Sequence, residues 1–208
     1  MSNPDTARLC RNVVRLRAGS RLLLAVFAVA IAVAGTVSTP MAAARGRRCA
    51  DAHAPIAAAR RAQLQRAVVC LINGQRRERG LPGLRENPRL NRSAQGWTNV
   101  MVSHRDFTHG ADFGSRITAV GFHWSNVGEN IATGFRTPAS VVAAWMASTG
   151  HCQNILNPSY RYVGTGVSNE SIGGFSTQGG TWTQDFGLIM GQHPASGNWG
   201  PADGCPYG

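Results

Sequence analysis

The sequence predicts an α+β domain, an antiparallel or mixed sheet covered by helices, and three observations carry that reading. Two helical stripes come early: Leu64, Val68, Leu71 and Ile72, then Leu90, Ala94, Trp97 and Met101. The β-prone stretches from Tyr160 to Val167 and from Thr181 to Ile189 come late. Connections are short and no strand-helix-strand rhythm repeats, which disfavours a doubly wound parallel sheet.

The chain has 208 residues, 43% hydrophobic and 15% charged, as expected of one globular domain rather than a disordered chain. Every basic side chain is Arg, and the formal net charge of +11 gives a pI near 11.1. Arg8, Arg11, Arg15, Arg17 and Arg21 precede an apolar run from Leu22 to Val37, followed by small residues ending at Ala42-Ala-Ala44. These are the parts of a secretory signal peptide over residues 1–44, with an uncleaved anchor as the alternative. Its removal leaves 16 Arg against 9 acids, so the exported part stays basic. After it, residues 45–61 read as an N-terminal extension, 62–190 as the domain, and 191–208 as a Gly/Pro-rich tail.

Cys10 would leave with the leader, and Cys49, Cys70, Cys152 and Cys205 remain for an oxidising compartment. Four cysteines allow three pairings. The preferred one is Cys49 with Cys70 and Cys152 with Cys205, because each bridge then ties a loose end to the body. A cysteine zinc site is disfavoured, since no Cys-x-x-Cys pair exists.

The first helix should run from about Ala62 to Arg79, ended by Gly80 and Pro82, with Arg76, Arg77 and Arg79 as a solvated last turn. Asn87-Pro88 signals the next helix, cap followed by proline. Its Trp97 and Met101 read as core, and His104 as surface. Gly114 to Val120 should form a short helix, and Gly121 to Asn126 a turn into a strand. Thr137-Pro138 opens a helix that Gly150 should end, leaving His151 just beyond it. Ser168 to Gly180 reads as a long exposed connection. The last strand should place Trp182 and Phe186 on one face and Thr181, Thr183 and Asp185 on the other.

Glu129, within Gly128-Glu-Asn130, is a lone acid among apolar and small residues, and a carboxylate there needs donors, a cation or a proton. His109 and His151 flank it at similar distances along the chain, so a fold returning both loops to one place would assemble a His, Glu, His cluster. Two imidazoles and a carboxylate can hold a divalent cation such as Zn²⁺ with a position left for water, although no such cofactor is required by the pattern. Ser148 and His151, three residues apart, have the spacing of a nucleophile and base, but no nucleophile elbow or oxyanion-hole motif surrounds them. The alternative to all of these is structural: histidines that hydrogen-bond Glu129 and fix the central strand.

In order along the chain, Cys70-Leu-Ile-Asn73, Gly80-Leu-Pro82, Ala94-Gln95, Phe107-Thr-His109, Arg116-Ile117, Gly128-Glu-Asn-Ile-Ala132, Trp145-Met146, Ser148-Thr-Gly-His151, Asn154-Ile-Leu156 and Trp182-Thr-Gln-Asp-Phe-Gly187 resemble the CAP superfamily. The likeness is to its bacterial, SCP-like extracellular branch. The resemblance implies a three-layer α-β-α sandwich with a mainly antiparallel sheet and a central cleft where His109, Glu129 and His151 meet. The second acid that many members carry falls here near Ser148 and is missing. The resemblance further implies a secreted binding module for an extracellular lipid or sterol, or in a few members proteolysis. The basic charge favours an anionic envelope polymer as partner. A metal-dependent hydrolase or protease using the same cleft is the alternative, and a monomer is expected. Nucleic acid is not an expected partner, since the arginines are scattered and the aromatics fall on core stripes. No membrane span is expected once the leader is removed.

Overall fold

A computed structural model describes residues 49–173, 179–195 and Cys205. The leader and most of the tail lie outside the described residues. The elements are α1 (Arg61–Glu78), β1 (Arg85–Glu86), α2 (Pro88–His104), α3 (Phe113–Ala119), β2 (Trp124–Phe135), α4 (Pro138–Met146), α5 (Thr149–Leu156), β3 (Tyr162–Ser168) and β4 (Gly180–Ile189). The sheet order is β1-β3-β4-β2. Among the described residues only the two-residue β1, which the sequence does not signal, pairs in parallel. The other pairings are antiparallel.

Local chemistry accounts for the helix ends. The Asn87 side chain accepts from the Arg89 and Leu90 amides, capping α2, and Thr137 accepts from Ser140 N to cap α4. At the end of α1, Gly80 takes φ 72° and Leu81 N reaches back to Arg76 O at 2.9 Å, a Schellman closure that only a residue tolerant of positive φ makes without strain.

Helices cover both faces of the sheet. On one face, Leu64, Val68 and Ile72 of α1, Val141 and Trp145 of α4 and Ile155 of α5 pack on Val163, Val167, Trp182 and Phe186. On the other, α2 lies against β3 so closely that a Cβ on Gly164 or Gly166 would collide with the backbone of Leu90 or Ala94. Side-chain amides then close the outer edge of β3. Asn91 Oδ1 accepts from Thr165 N at 2.8 Å, Gln65 Nε2 donates to Thr165 O at 2.7 Å, and Gln95 pairs with both backbone groups of Val167. A strand edge covered in this way offers no template for another chain. Central β4 is buried along nearly its whole length.

Both disulfides take the preferred pairing, Cys49–Cys70 and Cys152–Cys205. Among the described residues no helix is long and apolar enough to cross a membrane.

Three expectations are corrected. Arg76 is not part of a solvated helix end but fully buried. Its guanidinium donates to the carbonyls of Pro82, Ile155 and Asn157 at 2.7 to 2.9 Å, and burial pulls its pKa down to about 10. The helix from Pro138 does not continue to Gly150. It stops at Met146, Ser148 is extended, and α5 starts at Thr149, so Gly150 lies in a first turn where no left-handed residue is needed. The connection after β3 is not wholly exposed either, because Ile172 is buried against Met101 and Ile131.

Arg76→Ala should cost about 3 kcal/mol, because three carbonyls lose a charged donor inside the protein. The shift in denaturant midpoint at unchanged slope measures it, with Arg76→Met as the control that refills the volume without restoring the bonds.

Candidate functional site

The site begins on β2, whose alternation sends Glu129 and Ile131 toward α2 and α3, and Asn130 and Ala132 toward α4 and α5. Gly128 has no room for a side chain, since the Tyr160 hydroxyl and Asn154 Oδ1 occupy the place of its Cβ. The Glu129 side chain is only 1% exposed, yet it is not bare. His109 Nδ1 lies 2.8 Å from Oε1, and Arg116 Nη2 donates to Oε2 at 2.6 Å.

Both partners are positioned by elements the sequence supplies locally. The last residues of α2 turn through Arg105, at φ 54°, and release the loop that carries His109. Trp97 on α2 holds that loop by donating Nε1–H to Thr108 O at 2.9 Å. Its ring also lies 3.8 Å beneath the Arg116 guanidinium, an attraction between cation and π-face. Trp97 is therefore partly buried and part of the site's support, not simply core. Arg116 rides on α3, which Asp112 caps by accepting from Ser115 N at 3.0 Å.

The reading of Glu129 as a lone acid is corrected. Asp185 on β4 stands in register opposite it. Asp185 is fully buried, and its carboxyl is held well above the usual range, first by burial and then by the adjacent Glu129 charge, against smaller pulls from Ser93 and Arg116. One proton in this acid pair relieves the repulsion of two carboxylates in a dry place. Arg116 and Asp185 were both missed as site residues. Arg116 sits one helical turn beyond the Asp112 cap, a weak signal. Asp185 carried none until the β2–β4 register was known.

His151, the third residue of α5, is half-buried, and its carbonyl accepts from Asn130 Nδ2 at 3.2 Å. Burial, and then the charge of His109, lower the pKa of its ring, which favours the neutral imidazole at pH 7. Its ring makes no hydrogen bond to Glu129. Instead His151 and His109 line one cleft of about 660 Å³ beside the free edge of β2. Phe107, Ile131, Phe135, Ala144 and Trp145 supply its apolar walls, and Thr108, Thr133 and Ser148 its other polar groups. Ser148 is the N-cap residue of α5 and makes no side-chain cap bond. Among the described residues no group of three His, Cys, Asp or Glu side chains stands close enough to hold a metal ion.

Comparison with known proteins follows the same residues. The pattern of the cysteine-rich secretory protein family, CAP, matches residues 69–186, more than half of the chain. The protein YkwD of Bacillus subtilis is 35% identical over 127 residues, which are 59% of this chain and 46% of that protein. The chain thus spans less than half the length of this curated relative. An extracellular protein of Bacillus anthracis with an SCP domain superposes with a TM-score of 0.53 at 22% identity, covering 62% of this chain and 44% of that one. An outer surface protein of Borrelia burgdorferi gives 0.52 at 20% identity, covering 59% and 90%. At these identities the two structures speak for the fold alone.

Two outcomes test the acid clamp. Arg116→Ala should cost about 3 kcal/mol, because it leaves a buried carboxylate short of its cation; denaturant titration reads it, and a loss near zero would refute the clamp. Asp185→Asn should be more stable than the wild type at pH 7. The native state holds the Asp185 proton that the unfolded chain releases above about pH 4, so stability falls as pH rises past that point, and the amide abolishes the slope. His151 acts in the opposite sense, losing stability as pH falls below its unfolded pKa, and cancels when the two proteins are compared at each pH.

Proposed function

The chain belongs to the cysteine-rich secretory protein family, and on that premise we propose that it is an exported, monomeric binding module whose cleft takes an extracellular lipid, sterol or envelope component. The observation that carries this reading is the cleft itself. Its walls are apolar, its polar groups sit at the histidine end, and the Glu129 carboxylate beside it has both oxygens engaged by Arg116 and His109. A pocket of this size and lining suits an amphiphile. The excess of arginine and the two disulfides are consistent with work outside the cell, beside anionic polymers.

A second reading, a divalent cation such as Zn²⁺, is favoured by one observation. His109 commits Nδ1 to Glu129, which leaves Nε2 as its open nitrogen, the orientation that metal-ligating histidines commonly share. His109 and His151 would hold the ion, with Glu129 acting through His109, and the ion would supply a Lewis acid with exchangeable positions. A metal-dependent hydrolase would build on that centre. Loss of Zn²⁺ binding in a His109→Ala, His151→Ala variant is its signature, and equal titration curves would remove it.

Ala144→Trp should fill the cleft. Purified wild type, extracted with organic solvent and examined by mass spectrometry, should carry an apolar molecule at roughly ten times the level found in this variant. Equal retention by the two proteins would refute the binding reading.

A further inference from the structure

We propose that the outer face of α1, together with the arginines that precede Cys49, is a docking surface for a linear anionic polymer outside the cell, one that repeats phosphate or carboxylate groups. The surface is separate from the cleft, since none of the residues lining the cleft belongs to α1.

Charge is divided unevenly along the chain. Residues 45–79 hold nine arginines against two acids, Asp51 and Glu78, whereas residues 80–208 hold seven of each. The whole net charge of the exported part thus belongs to its N-terminal extension and α1, although the arginines look scattered when read singly. A bias confined to one segment points to a partner of opposite sign that meets that segment.

The fold gathers the segment into one surface. Arg66, Cys70 and Arg77 fall on a single stripe of α1, opposite the buried Leu64, Val68 and Ile72. Arg66 and Arg77 are exposed and stand about 16 Å apart along the helix axis. Arg77 lies back along the stripe, its Nη2 3.9 Å from where a Cβ on Gly74 would be. Between the two arginines, the Cys49–Cys70 bridge fastens the start of the described chain to the same stripe. Arg45, Arg47 and Arg48 are tethered to that point by at most about 14 Å of extended chain. Arg60 and Arg61 stand at the N-terminal end of α1, whose first turn has no acid. Cations there oppose the helix dipole, so helix formation does not call for them.

No carboxylate among the described residues pairs with Arg66 or Arg77. Glu78 turns to Arg79 at 3.8 Å, and the other ion pairs are those of Glu129. Guanidinium groups take phosphate or carboxylate in bidentate fashion. A polymer with charges repeated along its length can follow groups spaced along a helix, and its condensed counterions are released on binding. A bilayer fits less well. The exposed large apolar side chains among the described residues are Val100 and Met190, so α1 has none to insert.

The test is calorimetric titration of the oxidised protein with long-chain polyphosphate and with poly-L-glutamate. At least one polymer should bind, with affinity falling about tenfold or more between about 50 and 200 mM NaCl, and the tighter of the two identifies the repeated group. An Arg66→Gln, Arg77→Gln variant should bind about tenfold more weakly at the lower salt, and an Arg45→Gln, Arg47→Gln, Arg48→Gln variant should weaken in the same sense. The charge-matched control Arg89→Gln, Arg92→Gln, on the exposed side of α2, should change affinity less than about twofold. Equal losses in the α1 and α2 variants would show that net charge alone attracts the polymer, and would overturn the assignment to this face. Failure to bind either polymer would overturn the proposal and leave the cleft reading untouched. Binding confined to phosphatidylglycerol vesicles or to duplex DNA would overturn the choice of partner.

Discussion

A carboxylate held out of water between a guanidinium and an imidazole is the constraint on which the centre of this protein depends. Burying Glu129 unpaired would cost several kcal/mol, so the surrounding chain is arranged to supply its partners. The His109 loop, α3 with Arg116, and Trp97 beneath the guanidinium all converge on one side chain. Asp185 completes the arrangement from the neighbouring strand, its carboxyl pushed toward the protonated form by burial and by the Glu129 charge. Removing any member leaves another polar group stranded, and in that sense the cluster specifies a unique packing as much as it contributes stability.

The same economy links the sheet to the cleft. A four-stranded sheet has two edges that must be covered. At β3 the cover is made of amide side chains from α1 and α2, brought close because Gly164 and Gly166 have no side chains to hold α2 away. At β2 the cover is Asn154 on the Glu129 carbonyl and the Trp145 indole on that of Ile131. Cover at β2 is incomplete, and the space left between α4, α5 and the His109 loop is the cleft. A structural need of the sheet thus builds the wall of the candidate binding site and engages the backbone carbonyls along it.

Arg76 shows a related solution far from the site. One buried guanidinium ties the end of α1 to the end of α5 through three carbonyls that no helix could satisfy. The α5 helix that carries His151 is therefore anchored at its C-terminus by Arg76 and along its length by the Cys152–Cys205 bridge. A rigid α5 fixes the position of one side of the cleft.

Periodicity and punctuation were legible without coordinates. The stripes of Leu64 to Ile72 and Leu90 to Met101, the caps at Asn87 and Thr137, the left-handed Gly80 and the alternation of Trp182 with Thr183 all act over one turn or two residues, and they determined the elements and the α+β class. The lone polar residue in an apolar setting pointed to Glu129 for the same local reason. Whether Arg76 meets water or carbonyls, whether Asp185 faces Glu129, and which polar groups line the cleft were decided only by the tertiary structure. Those properties depend on strand register and on the approach of segments distant in sequence. Electrostatic and hydrogen-bonding partners are chosen by distance in space, which no short window of residues encodes.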